Sequence, residues 1–427
     1  MNESSRQRFF YSFGQLANGA YNGLNNAVLG PYLSAFTGNP FVIGYLGNTR
    51  TMEGVIIQPL VGRWSDRTSS PMGRRRPFIL FGIPFSVLFL MLIPIAGHQG
   101  HGRALPLVAA AIILFSITWN IAGDPYQALM VDITPSRRRP IFNAILSVLA
   151  LLGQVAIVAY AGVAAFKKNN IPDAVFYAGA LFMLLTFAAV FFGVSEPRHA
   201  GTVAKVEEKI PVRVYVAEIR HFREAFKLLV SVFFLWTGLN AILPFLTIIP
   251  TKILGATKSQ SLVVYMVMIL TAAICAYPFG RLAARGGARR YIVIGTVTLI
   301  AAALLGMVVR SYVWFFPVAM LAGAGFSATT ALTYPYLSQL VPGSKMGVFT
   351  GLQTSFSAVA APVSIGVTGL LINHFGYRST FAMLAVMMVV DVAVLLSIDD
   401  SAARVQVEEV ELEERVMAAA LRTPAVV

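Results

Sequence analysis

The sequence predicts an all-α integral membrane protein with twelve transmembrane helices, arranged as two pseudo-symmetric six-helix bundles. Three observations carry this. Of 427 residues, 57% are hydrophobic and 12% charged, and the mean hydropathy is +0.71; a soluble domain carries roughly 25% charged residues. The apolar residues run in stretches near the ~20 residues that cross a bilayer as helix. The 33 Lys and Arg gather between those stretches, so the net charge of +14 is a topology signal and nucleic acid is not expected as a partner.

The spans of the first half are read at 9–36, 40–62, 77–97, 104–131, 140–166 and 174–194. Those of the second half are read at 227–254, 259–281, 290–309, 312–340, 346–373 and 378–398. Unpaired strand backbone is not tolerated in lipid, so all are helices. The organisation is therefore an N-terminal bundle over 1–194, a linker over 195–226, a C-terminal bundle over 227–398 and a tail over 399–427.

Span 1 begins at Phe9 after a polar start and is too long for a cleaved signal. It carries a polar stripe of Gln15, Asn18, Asn22 and Asn25, with Asn26 and Tyr21 beside it, and Gly19 and Gly23 suit close helix packing. Span 2 carries Arg50 and Glu53, three residues apart and so able to pair. Such a pair is either a switchable element or a static seal, and intramembrane charges are costly and usually functional. After it comes "GRWSDRTSSPMGRRRPFI", with Gly62, Asp66, Arg67, Gly73, Arg74, Arg75 and Arg76. Span 3 is uniformly apolar. Span 4 places Ser116, Asn120, Asp124 and Gln127 on one face, flanked by Trp119 and Tyr126. Asp132 at its end sits near Arg137 to Arg139 and reads as structural. Two such stripes exceed what interhelical hydrogen bonding requires, and they predict a wet cavity.

The linker mixes seven basic residues, counted to Lys227, with five acids. In the second half, Trp236 and Asn240, with Thr237, on span 7, Tyr334 with Thr333 on span 10 and Gln353 on span 11 could complete the site. Asp391 on span 12 has no evident partner. The tail holds seven acids and three arginines and reads as an amphipathic helix, either solvated or clasped on the basic face. Cys275 is the one cysteine, so no internal disulfide forms. His98 and His101 are too few for a metal site, and no nucleotide-binding glycine loop exists, so neither metal, cofactor nor ATP drive is expected.

With the N-terminus inside, Arg103, Lys167, Lys168, Lys252, Lys258, Arg310 and Arg378 fall outside, Arg50 lies within the membrane, and the other 25 basic residues fall inside. The positive-inside rule then puts both termini in the cytoplasm of a multi-pass protein of the cell (inner) membrane. The arginine loop faces anionic headgroups there.

A repeat supports the two-bundle plan. "GRLAARGGARR" from Gly280 matches the loop from Gly62, and "TYPYLSQLVP" matches "DPYQALMVDITP", with Phe142 and Phe349 each seven residues beyond Pro135 and Pro342. The first loop resembles the signature loop of the major facilitator superfamily, with an insertion. The run "IIQPLVGRWSDRTSSPMGRRRPFI" is similar to the plant sucrose–proton symporters and their glycoside–pentoside–hexuronide relatives, and "NIAGDPYQALMVD" more loosely so.

The resemblance implies alternating access, with helices 1, 4, 7 and 10 lining the cavity. It implies that Asp66, Arg67 and Arg74 to Arg76 latch the cytoplasmic side; anchoring alone would not need Asp66 or the glycines. Amides and aromatic faces suit a neutral sugar-like substrate. The sequence reading is thus a proton-coupled sugar or glycoside symporter and not an enzyme, working as a monomer, with Asp124 and then Glu53 as proton carriers. A facilitative or efflux carrier of another small molecule and a non-transporting membrane protein are the alternatives. The chain departs from its relatives at several points: Gly54 and Gln58 replace the aspartates of sodium-coupled ones, the helix 4 acid of the plant symporters would fall near Ser116, and Gln127 replaces an Arg.

Overall fold

The computed structural model describes residues 3–68, 70–100, 102–134, 139–166, 169–195, 218–219 and 221–420. They are helical throughout. The first six spans are α1 (Glu3–Gly23) with α2 (Leu29–Leu33), α3 (Pro40–Leu46) with α4 (Thr49–Arg67), α5 (Arg76–Gly97), α6 (Ala104–Ile133), α7 (Arg139–Ala165) and α8 (Asp173–Gly193). The last six are α9 (Arg223–Ile242) with α10 (Ile249–Ile253), α11 (Lys258–Gly286), α12 (Ala288–Val308), α13 (Tyr312–Leu340), α14 (Met346–Phe375) and α15 (Ser379–Leu396). A terminal helix, α16 (Asp400–Ala420), follows. Most of the linker, 196–217 and 220, lies outside the described residues, as does His101.

Among the described residues, ten helices are long and apolar enough to cross a membrane. The first two spans do not reach that mark, because α1 carries its amide stripe and α4 carries Arg50, Glu53, Gln58 and three further charged residues toward its end. Local sequence sets the starts and breaks. Asn39 accepts from Phe41 N at 2.9 Å ahead of Pro40, and Thr257 with Gln260 forms a capping box on α11. The first span is broken by a π-turn at Leu24–Val28, within its amide stripe; such turns recur at functional sites.

Each set of six packs on itself. Glycines allow the closest approaches: a Cβ on Gly19 would lie 1.8 Å from Ala150 O, and one on Gly153 would lie 2.0 Å from Leu16 O, so α1 and α7 touch backbone to backbone. A Cβ on Gly23 would lie 2.5 Å from the Ile157 side chain and 3.0 Å from Gln154 O, both on α7, as its spacing from Gly19 suggested.

The repeat is visible in three dimensions. Gly73 (φ 101°) precedes α5 and Gly287 (φ 85°) precedes α12, a backbone conformation that favours glycine. Just beyond them, Arg76 Nη2 donates to Phe191 O at the end of α8, at 2.6 Å. Its counterpart Arg289 donates to Leu395 O and Leu396 O at the end of α15, at 2.9 and 2.7 Å. In both halves an arginine caps the carbonyl end of the sixth span, where a cation is favoured.

Candidate functional site

The aromatic residues that flank the polar stripes of α1 and α6 pack on one another. Tyr21 stacks on Trp119 with centroids 4.5 Å apart, and Tyr11 on Tyr126 at 4.4 Å. The second pair is reciprocal: Tyr11 donates to Tyr126 O at 3.0 Å and Tyr126 donates to Tyr11 O at 2.8 Å. These pairs set the depth of one helix against the other, so Gln15 and Asn18 stand level with the stretch around Asp124. Gln15, Asn18, Asn22 and Asn26 are half-exposed along one side of the span, and Asn18 donates to Gln15 at 3.1 Å.

The aromatic residues do something other than the sequence suggested. Tyr21, Trp119 and Tyr126 are buried in the packing of α1, α6 and Phe187, so in this conformation their faces are covered by protein. A sequence shows which residues share a stripe. It does not show which of two flanking faces a ring turns to. Asn25 and Asn120 are buried as well, whereas Gln127 is exposed.

Glu53 and Asp124 are the two acids of this region, and both are half-exposed. The Glu53 side chain approaches Ser116 of α6, itself 1% exposed, and its carboxylate oxygens are buried without a hydrogen-bond partner among the described residues. The side chains of Arg50 and Asp66 lie outside the described residues, so the expected Arg50–Glu53 pair is not described.

Of the second-half candidates, Trp236 is half-buried, Tyr334 is 54% exposed, and Gln353 has a buried Oε1 without a hydrogen bond among the described residues. Asn240 belongs to the seal between the halves: it accepts from Asn48 Nδ2 at 2.9 Å. Gln154 donates to Tyr265 at 2.7 Å, Thr247 to Ala27 O at 3.0 Å and Ser259 to Gly162 O at 2.8 Å. All of these bonds lie between the middle of the bundle and the end remote from the termini. These hydrogen bonds between the halves gather at the remote end and close the bundle there.

The signature loop lies at the terminal end, where Arg74 and Arg75 reach across to α6. Arg75 Nε pairs with Asp132 at 2.7 Å and Arg74 with the same carboxylate at 3.3 Å. Asp132, expected beside Arg137 to Arg139, is paired with Arg74 and Arg75. Arg67 is exposed and Gly62 half-exposed. Asp391, fully buried, accepts from the hydroxyls of Ser231 on α9 and Thr296 on α12, the latter at 3.1 Å. Its partners were missed because hydroxyls 160 and 95 residues away are individually ordinary. The tail helix docks on the second half through buried Ala403 and the Tyr336–Asp400 bond of 2.6 Å.

The family model of the Major Facilitator Superfamily matches residues 11–272 and 228–427. The chain is 24% identical to the uncharacterized MFS-type transporter YxiO of Bacillus subtilis (strain 168) over 346 residues, covering 77% of this chain and 78% of that one. It is 33% identical to the sucrose transport protein SUC4 of Arabidopsis thaliana over 116 residues, which span 24% of this chain and 23% of that protein. The fold is similar to that of a D-xylose-proton symporter, with a TM-score of 0.73 at 14% identity, covering 92% of this chain and 97% of that one.

Proposed function

The chain belongs to the Major Facilitator Superfamily, and on that premise we propose that it is a proton-coupled symporter of a neutral sugar or glycoside, working by alternating access. The observation that carries this reading is the place of Glu53. The plant sucrose–proton symporters that this chain resembles carry an acid on helix 4 near the position of Ser116. Here α4 brings a carboxylate to Ser116 from the neighbouring helix, so the acid reaches the same region from a different element. Glu53 is the proton carrier, ahead of Asp124.

A proton on Glu53 removes a charge from the membrane interior, where charge is costly. Loading from one side and release to the other then tie the proton to the opening of either end. Gln15 and Asn18 offer amide donors and acceptors level with the stretch around Asp124, with Asn22 further along the same side of the span, a set suited to hydroxyl groups. The partial similarity to a protein named as a sucrose transporter supports the same substrate class. With both termini cytoplasmic, as the basic residues argue, the end closed by these hydrogen bonds faces outward, which supports reading the conformation as inward-facing. The latch of Asp66, Arg67 and Arg74 to Arg76 across the halves then belongs to the outward-open state.

Uptake of labelled sugars, sucrose and maltose included, into proteoliposomes tests the proposal. Accumulation of one sugar driven by an inward proton gradient is expected. Equilibration without accumulation would identify a facilitator, and no sugar transport by folded protein would remove the sugar reading.

A further inference from the structure

A cavity of about 580 Å³ opens at the terminal end of the last six helices, away from the contact between the halves. Three arginines line it: Arg289, Arg290 and Arg404. Arg289 is committed to Leu395 O, Leu396 O and Asp400, and Asp400 is committed to Arg289 and the Tyr336 hydroxyl. The acid in the wall is thus answered by the protein itself. Arg290 and Arg404 are exposed, with no hydrogen bond or ion pair to the described residues. The first turn of the 21-residue helix α12 enters the same cavity, with no side-chain cap and no acidic residue. Two uncommitted cations and a helix N-terminus converge, which is an environment for an oxyanion.

Deeper along α12 the lining is of another kind. Val293, Ile294 and Leu396 form it, Ile294 and Leu396 being 41% and 59% exposed. Ile294 lies one turn deeper along α12 than Arg290, on the same side of the helix. A charged rim followed at once by an apolar wall matches a molecule with an anionic head and a hydrocarbon tail. A free phosphate would use only the rim.

We infer that this cavity holds an anionic glycerophospholipid, its phosphate on Arg290, Arg404 and the first-turn N–H groups of α12, its acyl chain along Ile294 and Leu396. The lipid bridges the tail helix and the membrane-spanning helices, since Arg404 belongs to α16 and Arg290 to α12. Basic pockets between helices at the membrane surface are suited to such headgroups.

The test is lipid binding to the delipidated, detergent-purified full chain, read by native mass spectrometry. Phosphatidylglycerol, phosphatidylcholine and inorganic phosphate are titrated in parallel against wild type, Arg290→Ala/Arg404→Ala and Arg281→Ala/Arg285→Ala. The last variant removes two exposed arginines that do not line the cavity. Phosphatidylglycerol is expected to bind in preference to phosphatidylcholine, and to lose about 10- to 30-fold in the first variant only. Equal losses in both variants, no headgroup preference, or binding of inorganic phosphate without lipid would each overturn the inference.

Discussion

Tyr265→Phe removes one hydroxyl from the seal at the remote end and leaves the ring in place. Tyr265 is 2% exposed and Gln154 is 8% exposed, and the amide donates to the hydroxyl at 2.7 Å across the two halves. In the sealed state the variant leaves the Gln154 amide without this acceptor in a contact that excludes water, at a cost of about 1–3 kcal/mol. When the remote end opens, water reaches the amide in either protein, so the open state is not penalised. The open-to-sealed ratio should therefore rise about 5- to 150-fold. The assay is a distance distribution between spin labels at Gly38→Cys and Lys252→Cys in a Cys275→Ser background. Both label sites are exposed at the remote end, one in each half. Replacing both partners, Gln154→Leu with Tyr265→Phe, should cost less than the single change, because no buried amide is orphaned. An unchanged distribution in the single variant, or a larger shift in the double, would refute the reasoning.

Further expectations follow from the same geometry. Glu53→Gln should abolish gradient-driven accumulation while leaving sugar exchange across the membrane, and Asp124→Asn should retain coupling; radiolabelled uptake and counterflow separate the two. Gly153→Val should lower the thermal midpoint, since its Cβ would lie 2.0 Å from a backbone oxygen and overpacking costs about 1–3 kcal/mol or more. Gly162→Ala, whose Cβ has only Leu262 at 3.8 Å, should be close to neutral in the same scan. Asp399 accepts from the Ser401 hydroxyl and from Ser401 N and Ala402 N at 2.9 and 3.2 Å, which holds its carboxyl below the usual carboxylate range. Its support of the start of α16 should be present at neutral pH and lost as pH falls through that lowered value. Asp399→Ala should raise hydrogen exchange at residues 400–404 and remove that pH dependence.

The helical spans were legible because lipid imposes one rule on every residue in them. Most edges of α5 to α8 and of α11 to α15 lie where apolar runs give way to charged residues, Gly or Pro. The breaks at Leu24–Val28 and before α4 were not legible, since a π-turn changes hydrogen bonding and leaves hydropathy as it was. The stripes on α1 and α6 were legible as stripes, but the burial of Tyr21, Trp119 and Tyr126 depends on partners such as Phe187. Asn240 read as a binding residue because an amide in a membrane helix suits a sugar or another amide equally well, and its partner Asn48 is 192 residues away. The Arg75–Asp132 pair crosses a gap that no local pattern marks, whereas the capping arginines Arg76 and Arg289 were foreshadowed by the repeated Gly-Arg signature.

Proton movement tied to sugar movement is the central claim, and it can be read without any imposed proton gradient. Proteoliposomes with a trapped pH dye, potassium and valinomycin are given the transported sugar on the outside only. The account predicts that the lumen acidifies as the sugar enters with wild type, and that it does not with Glu53→Gln. Sugar entry by wild type with no change in lumenal pH would contradict it.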